Sequence, residues 1–276
     1  IFILWGAFFP GNVESVLSIV NDFISNKLGW VYMLAMTAFV VFAIYLIFSP
    51  YGKIRLGRQD EKPQYSYFTW FSFLFTAGMG VGLVFYGVNE PVTHFHNPPS
   101  AEPASVLAQE ESMMHTLFHW GLHPWGVYAI VGLTLAYFNF RHNAPLLMSS
   151  ALSPLIGDRS KGWLGTGIDS LAVFGTIFGI ATSLGLGATQ ITAGLSYSFD
   201  GIENNVWTQT IIVLIITVAF VISASTGVNK GIRYLSIGNV IIAVALMVFV
   251  FIFGSSVQMI ESFMTNLANY LNNIVS

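Results

Sequence analysis

Long apolar stretches alternate with short polar segments along this chain. A helix needs about 20 apolar residues to cross the ~30 Å hydrocarbon core of a bilayer. Stretches of roughly that length lie at residues 30–49, 68–88, 117–137, 168–190, 207–224 and 235–254. A shorter apolar stretch at residues 1–9 is expected to be the end of a further span. The pattern predicts an all-α integral membrane protein.

The composition supports this assignment, since 54% of the 276 residues are hydrophobic and only 8% are charged. Soluble domains carry about 25% charged residues, so lipid is expected to cover the excess apolar surface. The net charge of −3 is spread thinly and forms no basic stripe, which argues against a nucleic-acid partner. The absence of cysteine excludes disulfides and thiolate metal sites within these residues.

Positive charges predict which polar segments face the cytoplasm, because Lys and Arg are retained on that side during insertion. Of the ten Lys and Arg residues, only Lys27 falls outside three alternate segments. Those segments, predicted to be cytoplasmic loops of a multi-pass protein, are residues 50–67, 138–167 and 225–234. The loops predicted to face outward are residues 10–29, 89–116 and 191–206.

Two further segments are too short or too polar to span the membrane. Residues 145–156 are apolar but interrupted by Pro154, which predicts a short helix on the cytoplasmic surface. Residues 258–276 place apolar side chains at helical spacing with Asn and Glu between them. This second pattern predicts an amphipathic helix along the outer interface.

The second apolar stretch contains the sequence TAGMGVGLVFYGVNEP at residues 76–91. On a helix Gly78 and Gly82 share a face, which is the arrangement of a small-residue packing groove. Gly80 projects about 200° away from Gly78 and serves no such groove. Glycine costs up to ~1 kcal/mol relative to alanine in a helix interior, so three glycines within five residues predict a break. Broken membrane helices offer N–H groups to an anion and C=O groups to a cation.

Aromatic residues cluster in HWGLHPWGVYA at residues 119–129. On one continuous helix Trp120, Tyr128 and Trp125 fall at about 0°, 80° and 140°, so all three rings share an arc. Pro124 can loosen the helix within that arc. One interpretation is an interfacial aromatic belt. The other is a surface for a quaternary ammonium group, which binds to the faces of Trp and Tyr. Together with an anion site at the helix break, such a surface would suit a zwitterion.

Hydroxyl side chains lie in FGTIFGIATSLGLGATQ at residues 174–190. Thr176 and Ser183 are seven residues apart and therefore lie on nearly the same helix face. Their oxygens can ligate Na⁺, although such hydroxyls more often bond to the carbonyl one turn back.

Histidines suggest a different class of function. Five of the six lie between the second and third apolar stretches, namely His94, His96, His115, His119 and His123. The last three are four residues apart, the spacing that places two imidazoles on one metal in a membrane-embedded metalloenzyme. His115 and His123 would nevertheless lie about 80° apart on a helix, with no carboxylate among the three. Histidines satisfied at a helix mouth are the default interpretation.

Four stretches resemble the betaine/carnitine/choline transporter family: AGMGVGLVFYGVNEP, FHWGLHPWGVYA, PLLMSSALSPLIGDR and GTIFGIATSLGLGATQ. The resemblance covers nearly the whole chain, and the motifs follow the family's order. It implies a leucine-transporter-like fold, in which two peripheral spans precede two inverted repeats of five helices, and a homotrimer. The chain would be truncated at both ends. Its parts would be the end of the first span with the second span (1–67), the first inverted repeat (68–254) and the start of an interfacial helix (255–276).

The resemblance also implies roles for particular residues. The cage around the trimethylammonium group would include Trp120, Trp125 and Tyr128. The unwound segment beside the substrate would be formed by Gly78, Met79, Gly80 and Gly82. One Na⁺ would meet the carbonyls of Thr76 and Met79, and a second Na⁺ the hydroxyls of Thr176 and Ser183. Ile180 stands where a further hydroxyl is expected, which departs from the family's pattern.

The function implied is Na⁺-coupled uptake of glycine betaine, or a similar trimethylammonium zwitterion, across the plasma membrane during osmotic stress. Choline carriers of the family tend to have an acidic residue at the position of Gly82, so the neutral glycine favours betaine. No Lys or Arg occupies the glycine helix to replace an ion, which favours symport over exchange. The alternative is a carrier or exchanger for choline or carnitine. No enzyme activity and no cofactor besides Na⁺ are expected.

Overall fold

The computed structural model describes residues 2–57, 59–78 and 80–274, and within these ranges it contains helices and no strands. This all-helical architecture agrees with the predicted class. The chain forms two compact units. The first unit comprises residues 1–56 and 119–144, and the second comprises residues 57–118 and 145–276.

The helices of the first unit are α1 (Phe2–Phe8), α2 (Pro10–Phe23), α3 (Gly29–Phe48) and α7 (Leu122–His142). Those of the second unit are α4 (Tyr67–Gly78), α5 (Val81–His96), most of α6 (Val106–Trp120), α8 (Met148–Ala151), α9 (Ser153–Ile156), α10 (Trp163–Ser198), α11 (Val206–Ser225), α12 (Arg233–Phe253) and α13 (Ser256–Asn272). Turns of π-helix occur at Ile24–Leu28 and Val228–Ile232, and 3-10 turns at Pro50–Lys53 and Gly157–Lys161.

Four helical runs among the described residues have the length and composition to cross a bilayer. They are Pro10–Phe48, Trp163–Ser198, Val206–Ser225 and Asn229–Phe253. Their large apolar side chains are mostly exposed, as for Phe48 at 85% and Phe253 at 76%. An apolar surface of this extent needs a cover of lipid or of other protein. The predicted spans at 68–88 and 117–137 are each divided by a break in the helix.

Several of the predicted loops are largely helical. Residues 10–29, predicted to be a loop that faces outward, are helical instead, because α2 and its π-helical turn continue into α3. Pro10 begins α2, where its missing N–H costs no hydrogen bond. Val13, Val16 and Val20 repeat at helical spacing, a signal that the charged residues of this segment obscured. The predicted loop at 225–234 is likewise reduced to the two residues between α11 and the π-helical turn.

In the first unit α3 packs along α7. Gly126 of α7 approaches Val40 of α3 so closely that a Cβ at Gly126 would lie 2.8 Å from Val40 Cγ2. Three residues earlier on both helices, Thr37 Oγ1 lies 3.3 Å from Nε2 of the buried His123. Because the contacting positions increase together, α3 and α7 run parallel.

In the second unit α4 packs along α12, while α10 packs against both α11 and α5. The small side chains buried on α4 and α12 include Thr69, Ser72 and Ser236. Small residues allow membrane helices to approach closely. Tyr65 Oη donates to Asn229 Oδ1 at 2.8 Å, and Asn239 Nδ2 donates to Thr76 Oγ1 at 3.3 Å. The residue numbers again rise together, so α4 and α12 run parallel.

The segment between α7 and α10, here called the connection (residues 145–162), forms two short helices where one was predicted. Pro154 lies in the first turn of α9, so the helix restarts there instead of continuing from α8. α8 and the following 3-10 turn pack on α10, while α9 packs on α8 and on that turn. The predicted helix near residue 276 is present as α13, and its Tyr270 is buried.

Candidate functional site

The helical run from residue 67 to residue 96 is interrupted, as the glycine pattern predicts. α4 ends at Gly78 and α5 begins at Val81, with Gly80 at φ −90° and ψ −139° between them. No side chain among the described residues caps the N-terminus of α5. The first N–H groups of α5 and the last C=O groups of α4 therefore lack intrahelical partners. The break presents backbone donors and acceptors at one place in the chain.

The chain carries no charge on either side of the break. Residues 67–89 include no charged side chain. A Cβ at Gly80 would meet no atom of the described residues within 4 Å, so packing does not explain this glycine. Gly78 and Gly82 are half-buried. Met79, which the resemblance assigns to both substrate and Na⁺, lies outside the described residues.

Thr76, just before the break, is held by a neighbouring helix. Its hydroxyl accepts a hydrogen bond from the side-chain amide of Asn239 in α12. This bond anchors the last turn of α4. It uses the side chain of Thr76 and not its backbone carbonyl, which is the group that the resemblance assigns to Na⁺. The sequence analysis missed Asn239, although an amide in an otherwise apolar membrane helix is itself a signal of a polar contact between helices.

The aromatic cluster differs from the predicted single arc. α6 ends at Trp120 and α7 begins at Leu122, with Gly121 at φ −91° and ψ −137° between them. The expectation that Trp120 shares a helix with Trp125 and Tyr128 is therefore wrong. Pro124 lies in the first turn of α7, where it removes no intrahelical hydrogen bond. The helix is therefore interrupted at Gly121 and not at Pro124, where the sequence placed the weak point.

Two of the three rings do come together. The ring centroids of Trp125 and Tyr128 are 5.6 Å apart, while the Trp120 ring lies 5.0 Å from that of His119. Tyr128 is 64% exposed and Trp125 is half-buried, so both rings have accessible faces. Accessible faces of this kind can bind a quaternary ammonium group. The aromatic pair belongs to the first unit and the glycine break to the second.

Thr176 and Ser183 are both exposed on α10. The Thr176 hydroxyl donates to the carbonyl of Ala172 at 2.8 Å, the common bond of threonine one turn back in a helix. Ile180, on the same helix, is 56% exposed. A hydroxyl that donates one bond keeps lone pairs that can accept a cation. The backbone bond therefore explains the orientation of Thr176 and leaves its oxygen able to ligate an ion.

The three histidines at 115, 119 and 123 do not lie on one continuous helix. The break at Gly121 leaves His115 and His119 on α6 and places His123 on α7. In the part of the chain that the structure describes, no group of three or more His, Cys, Asp or Glu side chains could hold a metal ion.

His115 belongs to a titratable cluster between α5 and α6. Its ring centroid is 5.3 Å from that of His94, and His94 Nε2 lies 3.5 Å from Glu90 Oε1. Burial lowers the pKa of His115, the neighbouring His94 lowers it further, and Glu111 partly offsets both effects. His115 is therefore expected to be neutral near pH 7.

Known proteins match this chain along its whole length. The family model described as BCCT, betaine/carnitine/choline family transporter, matches residues 1–276. A glycine betaine transporter of Bacillus subtilis (strain 168) is 47% identical over 274 residues, which are 99% of this chain and 53% of that protein. A probable glycine betaine transporter of Desulfitobacterium hafniense (strain Y51) is 46% identical over 275 residues, 100% of this chain and 55% of the relative.

A choline transporter is also similar. The osmo-dependent choline transporter of Acinetobacter baylyi (strain ATCC 33305 / BD413 / ADP1) is 40% identical over 276 residues, which are 100% of this chain and 40% of that protein. The chain thus spans about half the length of the curated relatives it matches.

Proposed function

Because this chain belongs to the betaine/carnitine/choline transporter family, we propose that it forms part of a secondary active transporter for glycine betaine or a similar trimethylammonium zwitterion. Two similar proteins are named as glycine betaine transporters, one of them as a probable one. The family is one of transporters, so a membrane-embedded metalloenzyme is not proposed. The physiological role we propose is uptake across the plasma membrane during osmotic stress.

The neutral helix break between Gly78 and Val81 is the observation that carries this proposal. N–H groups at the start of a helix bind anions, so those of α5 suit the carboxylate of a zwitterion. The trimethylammonium group would bind to the ring faces of Trp125 and Tyr128, with Trp120 as a further candidate. A zwitterion brings its own counter-charge and needs no fixed charge from residues 67–89.

Sodium is the proposed coupling ion. The carbonyls of Thr76 and Met79 are the proposed ligands of one Na⁺, and the hydroxyls of Thr176 and Ser183 those of a second. Carbonyl and hydroxyl oxygens are the hard ligands that such a cation prefers. The lone pairs that Thr176 keeps while bonded to Ala172 support the second assignment.

The proposed architecture places residues 68–254 as the first of two inverted repeats, in a homotrimer with the loops 50–67, 138–167 and 225–234 in the cytoplasm. Helix direction supports the alternation of crossings on which this assignment depends. The predicted topology requires α3 and α7 to cross toward the cytoplasm, and α4 and α12 to cross away from it. Both pairs run parallel in the structure.

A charge introduced at Gly82 tests the substrate assignment. In the full-length carrier, Gly82→Asp should lower betaine affinity and raise choline affinity, because choline has no carboxylate to be repelled. At an effective dielectric near 20, a charge ~6 Å away contributes about 2–3 kcal/mol before desolvation losses. Competition assays with labelled betaine and choline would measure both changes.

Two controls separate charge from shape. Gly82→Asn has the same size without the charge and should not invert the preference. Gly87→Asp places the charge on the same helix, about 7.5 Å further along its axis and where the described structure leaves open space. Equal losses of betaine and choline affinity in Gly82→Asp would remove the main support for betaine. A parent protein that prefers choline would favour the alternative carrier, which the choline-transporting relative keeps open.

A further inference from the structure

A carboxylate near the start of α10 holds the connection in place. Ser149, in α8, is only 3% exposed. Its backbone N–H donates to Asp169 Oδ1 at 2.9 Å, and its hydroxyl donates to Asp169 Oδ2 at 2.6 Å. One residue therefore occupies both oxygens of a carboxylate 20 positions later in the chain. The hydroxyl distance is typical of a bond to an ionised carboxylate, which is about twice as strong as a neutral hydrogen bond.

A second contact fixes the other end of the connection on the same face of α10. Gly165 lies four residues before Asp169, so the two positions project from the same side of the helix. Gly165 is buried, and a Cβ there would overlap the carbonyl oxygen of Ser160 in the 3-10 turn. The connection thus contacts one face of α10 at two places: α8 at Asp169 and the 3-10 turn at Gly165.

A carboxylate at position 169 is energetically unfavourable unless it has a polar partner. It lies at the edge of the predicted span 168–190, and an ionisable residue in a membrane span usually has a functional role and a specific partner. Among the described residues, Asp169 forms no ion pair, and its hydrogen bonds go only to Ser149. Packing alone would not require a carboxylate at this position. The two donors of Ser149 match the two oxygens of the Asp169 carboxylate, so the hydrogen bonds explain the residue better than packing does.

We propose that Asp169 is a positioning residue that clasps the connection to α10, so that both move as one body when the carrier alternates between its outward-open and inward-open states. The proposal rests on the transport function proposed above. In this role Asp169 does not touch the substrate, and it acts on the rate of the conformational change. Loss of the clasp should therefore lower turnover and leave substrate affinity unchanged.

Hydrogen–deuterium exchange of the full-length protein in lipid nanodiscs tests the clasp directly, because the Ser149 N–H is one of its bonds. Asp169→Asn should speed exchange in peptides covering residues 148–156 about tenfold. Ser149→Ala keeps the N–H but loses the hydroxyl bond, so it should speed exchange less, and it serves if Asp169→Asn fails to fold. Asp158→Asn removes the same charge from an exposed position of the connection and should change nothing. Unchanged exchange in Asp169→Asn and Ser149→Ala would overturn the clasp.

Transport and binding measurements test the role of the clasp. Betaine turnover should fall several-fold in Asp169→Asn, with the Kd for betaine within about twofold of the parent value. Ser149→Ala should add little to Asp169→Asn, since both remove the same interaction. A changed Kd with unchanged exchange would place Asp169 at the ligand instead, and additive losses of turnover would also contradict the proposal. If the parent protein transports no quaternary amine, the proposed function fails while exchange still decides the clasp.

Discussion

Replacing Gly126 by alanine should loosen the contact between α3 and α7. The added Cβ would lie 2.8 Å from Val40 Cγ2, 3.3 Å from Val40 N and 3.4 Å from Val40 Cα. Favourable contacts between carbon atoms begin near ~3.5 Å, so the methyl group would overlap the side chain and crowd the backbone behind it. Val40 is β-branched and has one preferred rotamer in a helix. The two helices must therefore separate to accommodate the change.

The size of the effect follows from two opposing contributions. Over-packing of this kind costs about 1–3 kcal/mol of unfolding free energy. Alanine also gains about 1 kcal/mol over glycine in helix propensity, so the net loss for Gly126→Ala is about 0–2 kcal/mol. Gly132→Ala lies on the same helix, and no described atom would meet its Cβ within 4 Å. Both variants gain the same helix propensity, so the difference between their unfolding free energies gives the packing cost at Gly126.

Unfolding of the purified full-length protein in SDS, followed by circular dichroism, would give this difference as a free energy. Val40→Ala removes the Cγ2 atom and should reduce the cost of Gly126→Ala in a double-mutant cycle, with an interaction energy of about 0.5–3 kcal/mol. If Gly126→Ala is as stable as Gly132→Ala, the close approach of α3 and α7 is refuted, together with the placement of α7 that depends on it.

Three further changes test the aromatic, sodium and histidine assignments. Trp125→Leu should weaken betaine binding in competition assays by about 1–2 kcal/mol, the range of a desolvated cation–π contact, and Trp125→Phe by less; equal losses would indicate packing. Thr176→Val should raise the Na⁺ concentration for half-maximal uptake, whereas Thr166→Val, whose hydroxyl also bonds one turn back, should not. Because burial lowers the pKa of His115, the unfolded chain takes up a proton before the folded one as pH falls below 6.5. Protonation of His115 should therefore lower the Tm of the parent as the pH falls from about 7 to about 5, and the Tm of His115→Gln should decrease less over the same range. Equal decreases in the two proteins would contradict this reasoning.

The two glycine breaks show what local sequence can and cannot predict. Three glycines at 78, 80 and 82 add their helix penalties within five residues, so the interruption between α4 and α5 is visible from propensity alone. Gly121 is a single glycine whose cost of about 1 kcal/mol is tolerated in many helices. Propensity alone therefore does not predict a break at this position, and the sequence analysis placed the weak point at Pro124 instead.

Contacts between distant residues were beyond sequence analysis for a geometric reason. An isolated Asp169 at the edge of an apolar span indicates that a partner is needed. It does not indicate that the partner is Ser149, because that choice depends on how the connection folds back on α10. The close approach of Gly126 to Val40 likewise depends on the register of two helices far apart in the chain.

The parallel pairing of α4 with α12 has a consequence for how the protein is made. Asn239 follows its partner Thr76 by 163 residues, and ribosomes add about 5–20 residues per second, so α4 waits roughly 8–30 s for α12. During that interval its Ser72 hydroxyl donates within the same helix, to the carbonyl of Phe68 at 2.7 Å. α4 can therefore enter the bilayer without a partner for this group. The Thr76 hydroxyl, in contrast, gains its hydrogen bond from Asn239 only after α12 has been synthesised, so the last turn of α4 is anchored late in synthesis.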